Sequence, residues 1–84
     1  MEEVKVLVLT TNQKLISQVA ETGSELGEPD CQLTEPFEVD SDGNLSPWLI
    51  DVTNDNIFMM SSDKLITLCE PTPKLLTKYK DVLS

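Results

Sequence analysis

Apolar and polar residues alternate with a period of two over most of this chain, the pattern of strands that bury one face. Val4, Val6 and Val8 alternate with Lys5 and Leu7 and predict a first strand over roughly Val4–Leu9. Thr10-Thr11-Asn12 supplies turn residues. From Leu15 to Ala20, Leu15, Ser17 and Val19 fall on one face and Ile16, Gln18 and Ala20 on the other. Leu15, Ile16, Val19 and Ala20 also fit a helical period, but the hairpin-length gap before them favours a strand. Gly23 to Asp30, with two glycines, a proline and three acids, reads as loop. Cys31, Leu33, Phe37 and Val39 sit at even spacing and predict a third strand, in which Pro36 implies an edge or a bulge.

Ser41-Asp42-Gly43-Asn44 is a strong turn signal. Beyond it, Trp48, Ile50 and Val52 alternate with Leu49 and Asp51, so part of Leu45–Val52 is expected to be extended, with Pro47 breaking its start. Thr53-Asn54-Asp55-Asn56 is a second turn. Two apolar runs, Ile57–Met60 and Leu65–Cys69, follow with four polar residues between them, a length that predicts a tight antiparallel turn. The C-terminal end switches period. Thr72 suits an N-cap and Pro73 the first helical position. Leu75, Leu76, Tyr79, Val82 and Leu83 then make one helical face, while Lys74, Thr77, Lys78 and Asp81 are expected to face outward. The expectation is one mainly β domain over residues 1–84, with strands over about 4–70 and an α-helix over about 72–83.

At 84 residues the core is small, and self-association is the expected further source of stability. Cys31 and Cys69 lie in apolar or alternating runs, where reduced cysteine behaves as a small hydrophobe; a single disulfide is the alternative to the expected reduced pair. The acidic start and the short run Val4–Leu9 fit neither a signal peptide nor a membrane span, so a soluble cytoplasmic protein without membrane contact is expected.

The net charge is −9, with fifteen acids, six lysines and no histidine. Residues 1–70 carry fourteen of the acids against Lys5, Lys14 and Lys64, whereas residues 71–84 set Lys74, Lys78 and Lys80 against Asp81 alone. The overall field therefore repels polyanions, and nucleic-acid affinity would have to come from a local patch. With no histidine, no base beside either cysteine and no glycine-rich phosphate loop, the chain reads as a non-enzyme without a cofactor. Asp51, Asp55 and Asp63 match no calcium loop, and a solvated acidic surface is the expectation there rather than a metal site.

Two strand-like runs broken by Ser61-Ser62, a preceding strand-turn-strand, and a third strand through Leu33 and Phe37 together resemble the Sm-like superfamily over roughly Val4 to Cys69. These are small, strongly bent five-stranded antiparallel β-barrels that assemble into rings. The chain is most similar to the short Sm-like proteins encoded by phages, including those of cyanobacterial phages, in which a C-terminal helix likewise follows the barrel. The family's first signature, Asp-x-hydrophobic-Asn, aligns with Gly27-Glu28-Pro29-Asp30, where neither the Asp nor the Asn is matched. The Arg-Gly of the second signature, or the Lys-His of the bacterial RNA chaperones, falls on Ser61-Ser62.

The resemblance implies a homo-oligomeric ring of about five to seven subunits, closed by strand pairing between neighbours. Phe58, Met59, Met60, Leu65, Ile66 and Leu68 would form the subunit interface. It implies a role in RNA binding or RNA metabolism, with Ser61, Ser62, Asp63 and Lys64 on the pore side and Lys74, Lys78 and Lys80 as a basic rim. The ordinary reading is that the serines are turn residues and the lysines a solvated helix face. The alternative function is a protein-interaction ring or phage structural adaptor that has kept the scaffold and does not bind RNA. Trp48 beside Pro47 is a further candidate contact residue.

Overall fold

A computed structural model describes residues 3–22 and 29–84. It contains strands β1 (Val4–Leu9), β2 (Lys14–Glu21), β3 (Cys31–Val39), β4 (Leu45–Pro47), β5 (Ile57–Met60) and β6 (Leu65–Cys69), followed by helix α1 (Pro73–Leu83). All pairings are antiparallel, and the sheet runs β4-β3-β2-β1-β6, with β5 also on β3. The small, mainly β architecture with a C-terminal helix follows the sequence pattern. β4 is an additional three-residue strand.

β1 and β2 form a hairpin with Leu7 opposite Leu15 and Val6 opposite Ile16. Asn12 makes the turn at φ 69°, a left-handed conformation that asparagine tolerates. On β3, Pro36 marks a bulge, as its lack of an N–H requires. The ladder to β2 passes from Ile16–Phe37 to Gln18–Thr34, and Glu35 takes φ 53°. The bulge bends β3 and divides its other edge: Cys31–Thr34 pairs with β5, and Phe37–Val39 with β4.

Two expectations are corrected. The four residues Ser61–Lys64 do not close a hairpin. They contain a 3₁₀ turn, Ser62–Lys64, and the strands on either side pair elsewhere, β5 with β3 and β6 with β1. In a flat sheet, four spacings of about 4.8 Å would separate β5 from β6, roughly 19 Å. A 3₁₀ turn rising about 2 Å per residue falls well short of that distance. The sheet therefore curls until its ends meet at this corner. Second, Trp48–Val52 is a turn and not an extended run. Leu49 has φ 60°, and its carbonyl accepts from Val52 N (3.1 Å) and Thr53 N (3.1 Å). Only Leu45–Pro47 is extended, so Pro47 ends the strand instead of breaking its start.

Inside the curl, Leu7, Leu9, Leu15 and Leu33 form the buried cluster, with Val19, Trp48, Phe58, Met60 and Leu65 packed against it. The other face is partly covered by α1. Tyr79 is fully buried there, its ring edge-on to Phe37 at 5.9 Å, and its hydroxyl donates to the carbonyl of Glu35 (2.7 Å), with that of Thr34 at 3.2 Å. Thr72 caps the helix by accepting from Leu75 N (3.2 Å), with Pro73 at its start. Leu75, Leu76 and Leu83 are half-buried beside Tyr79, whereas Val82 is exposed. No helix among the described residues is long and apolar enough to cross a membrane.

Candidate functional site

The corner between β5 and β6 is built by hydrogen bonds. Ser61 precedes the 3₁₀ turn in an extended conformation and its hydroxyl accepts from Asp63 N. Ser62 donates twice to one carboxylate, from its N–H to Asp30 Oδ1 (2.7 Å) and from its hydroxyl to Asp30 Oδ2 (2.7 Å). Asp30 N–H in turn donates to Met60 O (3.2 Å), so the segment before β3 and the corner after β5 are locked reciprocally. On the other side, Lys64 O accepts from Thr10 N (2.9 Å), which fixes the corner to the β1–β2 turn.

The two Ser62 donors, hydroxyl first, hold the Asp30 carboxyl below the usual carboxylate range. Asp30 thus places a fixed negative charge at the corner at neutral pH. Of the four residues expected at this place, Ser61 caps the turn and Ser62 donates to Asp30, and Ser62, Asp63 and Lys64 are exposed. The local pattern leaves Asp30 as one loop acid among several. Nothing near it in sequence marks its role, because Ser62 lies 32 residues away. Gly27 and Glu28 lie outside the described residues.

The six apolar residues expected at a subunit interface divide evenly. Phe58, Met60 and Leu65 turn inward onto the core cluster. Met59, Ile66 and Leu68 are exposed. Ile66 stands at the irregularity where the register to β1 shifts between Val8–Thr67 and Leu9–Leu65. Among the described residues, β5 and β6 each pair along one edge only.

The three helix lysines do not make one stripe. Lys74 and Lys78 are four residues apart and share a face, whereas Lys80 lies on another side of α1. Lys78, expected to face outward, is half-buried and donates to Gly43 O (3.1 Å) in the β3–β4 turn, so it serves to dock the helix. Lys74 and Lys80 are exposed.

Trp48 lies between surface and core. Its ring meets Phe58 at 5.5 Å and 64°. Its backbone N–H donates to Pro36 O (3.0 Å), but its indole N–H is buried with no hydrogen-bond partner. Cys31 is buried and Cys69 exposed, both as free thiols.

A search of curated proteins finds no match to the chain. A family model does match, over residues 2–84, and its description is a family of unknown function. The match spans nearly the whole chain, and the protein belongs to this family, DUF6561.

Proposed function

We propose that the chain is a non-enzymatic subunit of an Sm-like homo-oligomeric ring that acts as a protein-interaction adaptor. The observation that carries this reading is the pair of one-sided strands at the corner, β5 and β6, with apolar side chains left in solvent. Met59 is 50% exposed and Ile66 58%. Unpaired edges with apolar residues invite pairing with another chain. Joining β5 of one copy to β6 of the next is a head-to-tail contact, which closes into a ring if the rotation permits. The meeting of Asp30 with Ser62 adds support, since these residues lie in the two segments that align with the two Sm signatures.

Between the two kinds of ligand, the corner favours protein. The serines are engaged in the turn, and an ionised carboxylate stands beside them. RNA binding, the reading that the resemblance implies, is favoured by two features, exposed Lys64 at the corner, beside Asp63, and exposed Lys74 and Lys80 on the helix.

Light scattering at micromolar concentration should give a multiple of the 9.4 kDa chain mass, and a strict monomer would overturn the ring. Fluorescence anisotropy with U-rich and A-rich oligoribonucleotides should show no binding even at low salt, where phosphate contacts are strongest. Binding that survives Lys74, Lys78 and Lys80 to Ala, but is lost when Ser61 and Ser62 are made bulky, would replace the adaptor by an RNA-binding pore.

A further inference from the structure

We infer that the groove beside Trp48 is a docking site for an extended segment of a partner protein in which apolar residues alternate with lysine or arginine. This inference rests on the adaptor reading and gives it a site away from the β5–β6 corner. The groove holds about 200 Å³. Its apolar lining comes from Pro36, Phe37, Pro47, Trp48, Ile50 and Phe58, and its polar lining from Glu35 and the segment Asn54–Asn56.

The lining is held in place from several directions. Trp48 is tied to Pro36 O through its backbone and stacks edge-on against Phe58. Asn56 O accepts from Glu35 N (2.7 Å), and Asn56 Nδ2 donates to Glu35 Oε1 (2.8 Å). These bonds clamp the 53–56 segment against the β3 bulge. A surface whose side chains are already held in place loses little freedom of its own when a peptide docks on it. In contrast to this order, the turn beside the groove leaves apolar side chains in water: Ile50 is 61% exposed and Val52 72%. Grouped exposed apolar residues mark interaction sites, whereas scattered ones do not.

Charge decides the occupant. The charged groups lining the groove are Glu35 and Asp55, with no lysine among them. A second copy of this chain, with fifteen acids against six lysines, has few cations to set against Glu35 and Asp55, so it complements the groove less well than a basic segment does. An anionic membrane surface or a nucleic acid would be repelled by the same two residues. A segment with lysine or arginine beside its apolar residues complements both parts of the lining.

The test is selection of random twelve-residue peptides on the immobilised full chain, followed by titration of the recovered peptides. Trp48 is the sole tryptophan, so its emission and its single indole N–H resonance report this site alone. The expected result is enrichment of basic, apolar peptides that saturate both signals. Ile50→Ser and Asp55→Asn should each weaken them about tenfold or more, at exposed positions that leave the fold intact. Failure to enrich peptides above background, enrichment of acidic ones, or equal binding to both variants overturns the proposal. A change of oligomeric state in either variant would assign the groove to a second copy, and an indole shift with an eight-residue oligouridylate would assign it to RNA. Either result also overturns the proposal. A monomer in light scattering would remove the ring without touching this result, so the two readings fail separately.

Discussion

Single residues set the chemistry of the β3 entrance. Cys31 is buried at the start of β3, and burial, reinforced by the Asp30 and Glu21 charges, pushes its thiol up. The thiolate is the reactive form, so Cys31 should resist alkylation while exposed Cys69 reacts. Timed labelling of the native protein with a maleimide, read by mass spectrometry, should give one adduct on Cys69, with the second appearing only in denaturant; equal rates would show the burial to be wrong. Next to Cys31, Asp30 has its folded carboxyl held down by Ser62, and Asp40 is held down likewise by Asn44 and Asp42 N–H groups. For a depressed carboxyl, the stabilisation is complete above the unfolded pKa, near 4, and fades as pH falls through the folded value. Urea midpoints should therefore drop as the solution is acidified below about pH 4. Asp30→Asn should show a shallower drop than the parent chain. An unchanged acid limb in that variant would remove the Asp30–Ser62 link from the account.

At the scale of elements, α1 is held mainly by one side chain. Tyr79 is fully buried and its hydroxyl is the helix's bond to the β3 bulge. Tyr79→Phe should lower stability by about 1 kcal/mol, the usual net worth of such a hydrogen bond. Tyr79→Ala should lower it by about 3–5 kcal/mol, as for other buried aromatic truncations. Thr72→Ala should cost about 1 kcal/mol through loss of the cap. Denaturant melts of the three variants give the order directly. The helix, its cap and its apolar face were legible because they depend on neighbours in sequence. The hairpin β1–β2 and the bulge at Pro36 were legible for the same reason. The corner was not. Four polar residues between two apolar runs satisfy a hairpin turn and a 3₁₀ corner equally. The choice between them depends on Asp30 and Thr10, which bond to the corner from distant parts of the chain. Trp48–Val52 misleads in the same way: its alternation is genuine, but Leu49 turns the chain left-handed so that Trp48 reaches Phe58. The inward half of the candidate interface, Phe58, Met60 and Leu65, also depends on that curl, which no local period encodes.

For the whole molecule, the proposed ring requires copies of net charge −9 to come together. The molecule measures 36 × 26 × 26 Å. At about 10 mM salt, charges are felt over roughly 30 Å, the span of a subunit, whereas near 150 mM the reach is about 8 Å. Neighbouring subunits of the proposed ring would therefore repel strongly at low salt and little at moderate salt, while an apolar contribution of exposed Met59, Ile66 and Leu68 would persist in both. Assembly should strengthen as salt rises, so the mass seen by light scattering should increase from 10 to 150 mM at fixed protein concentration. Binding to a polyanion has the opposite sign, since counterion release makes it weaken with salt. The two dependences separate a ring formed by its own edges from one gathered on RNA. Met59→Lys and Ile66→Lys should each return the assembly to the 9.4 kDa monomer at 150 mM salt while leaving the denaturation midpoint of the monomer nearly unchanged, because both side chains are already exposed. Assembly that falls with salt, or that survives both lysines, would exclude the β5 and β6 edges as the contact.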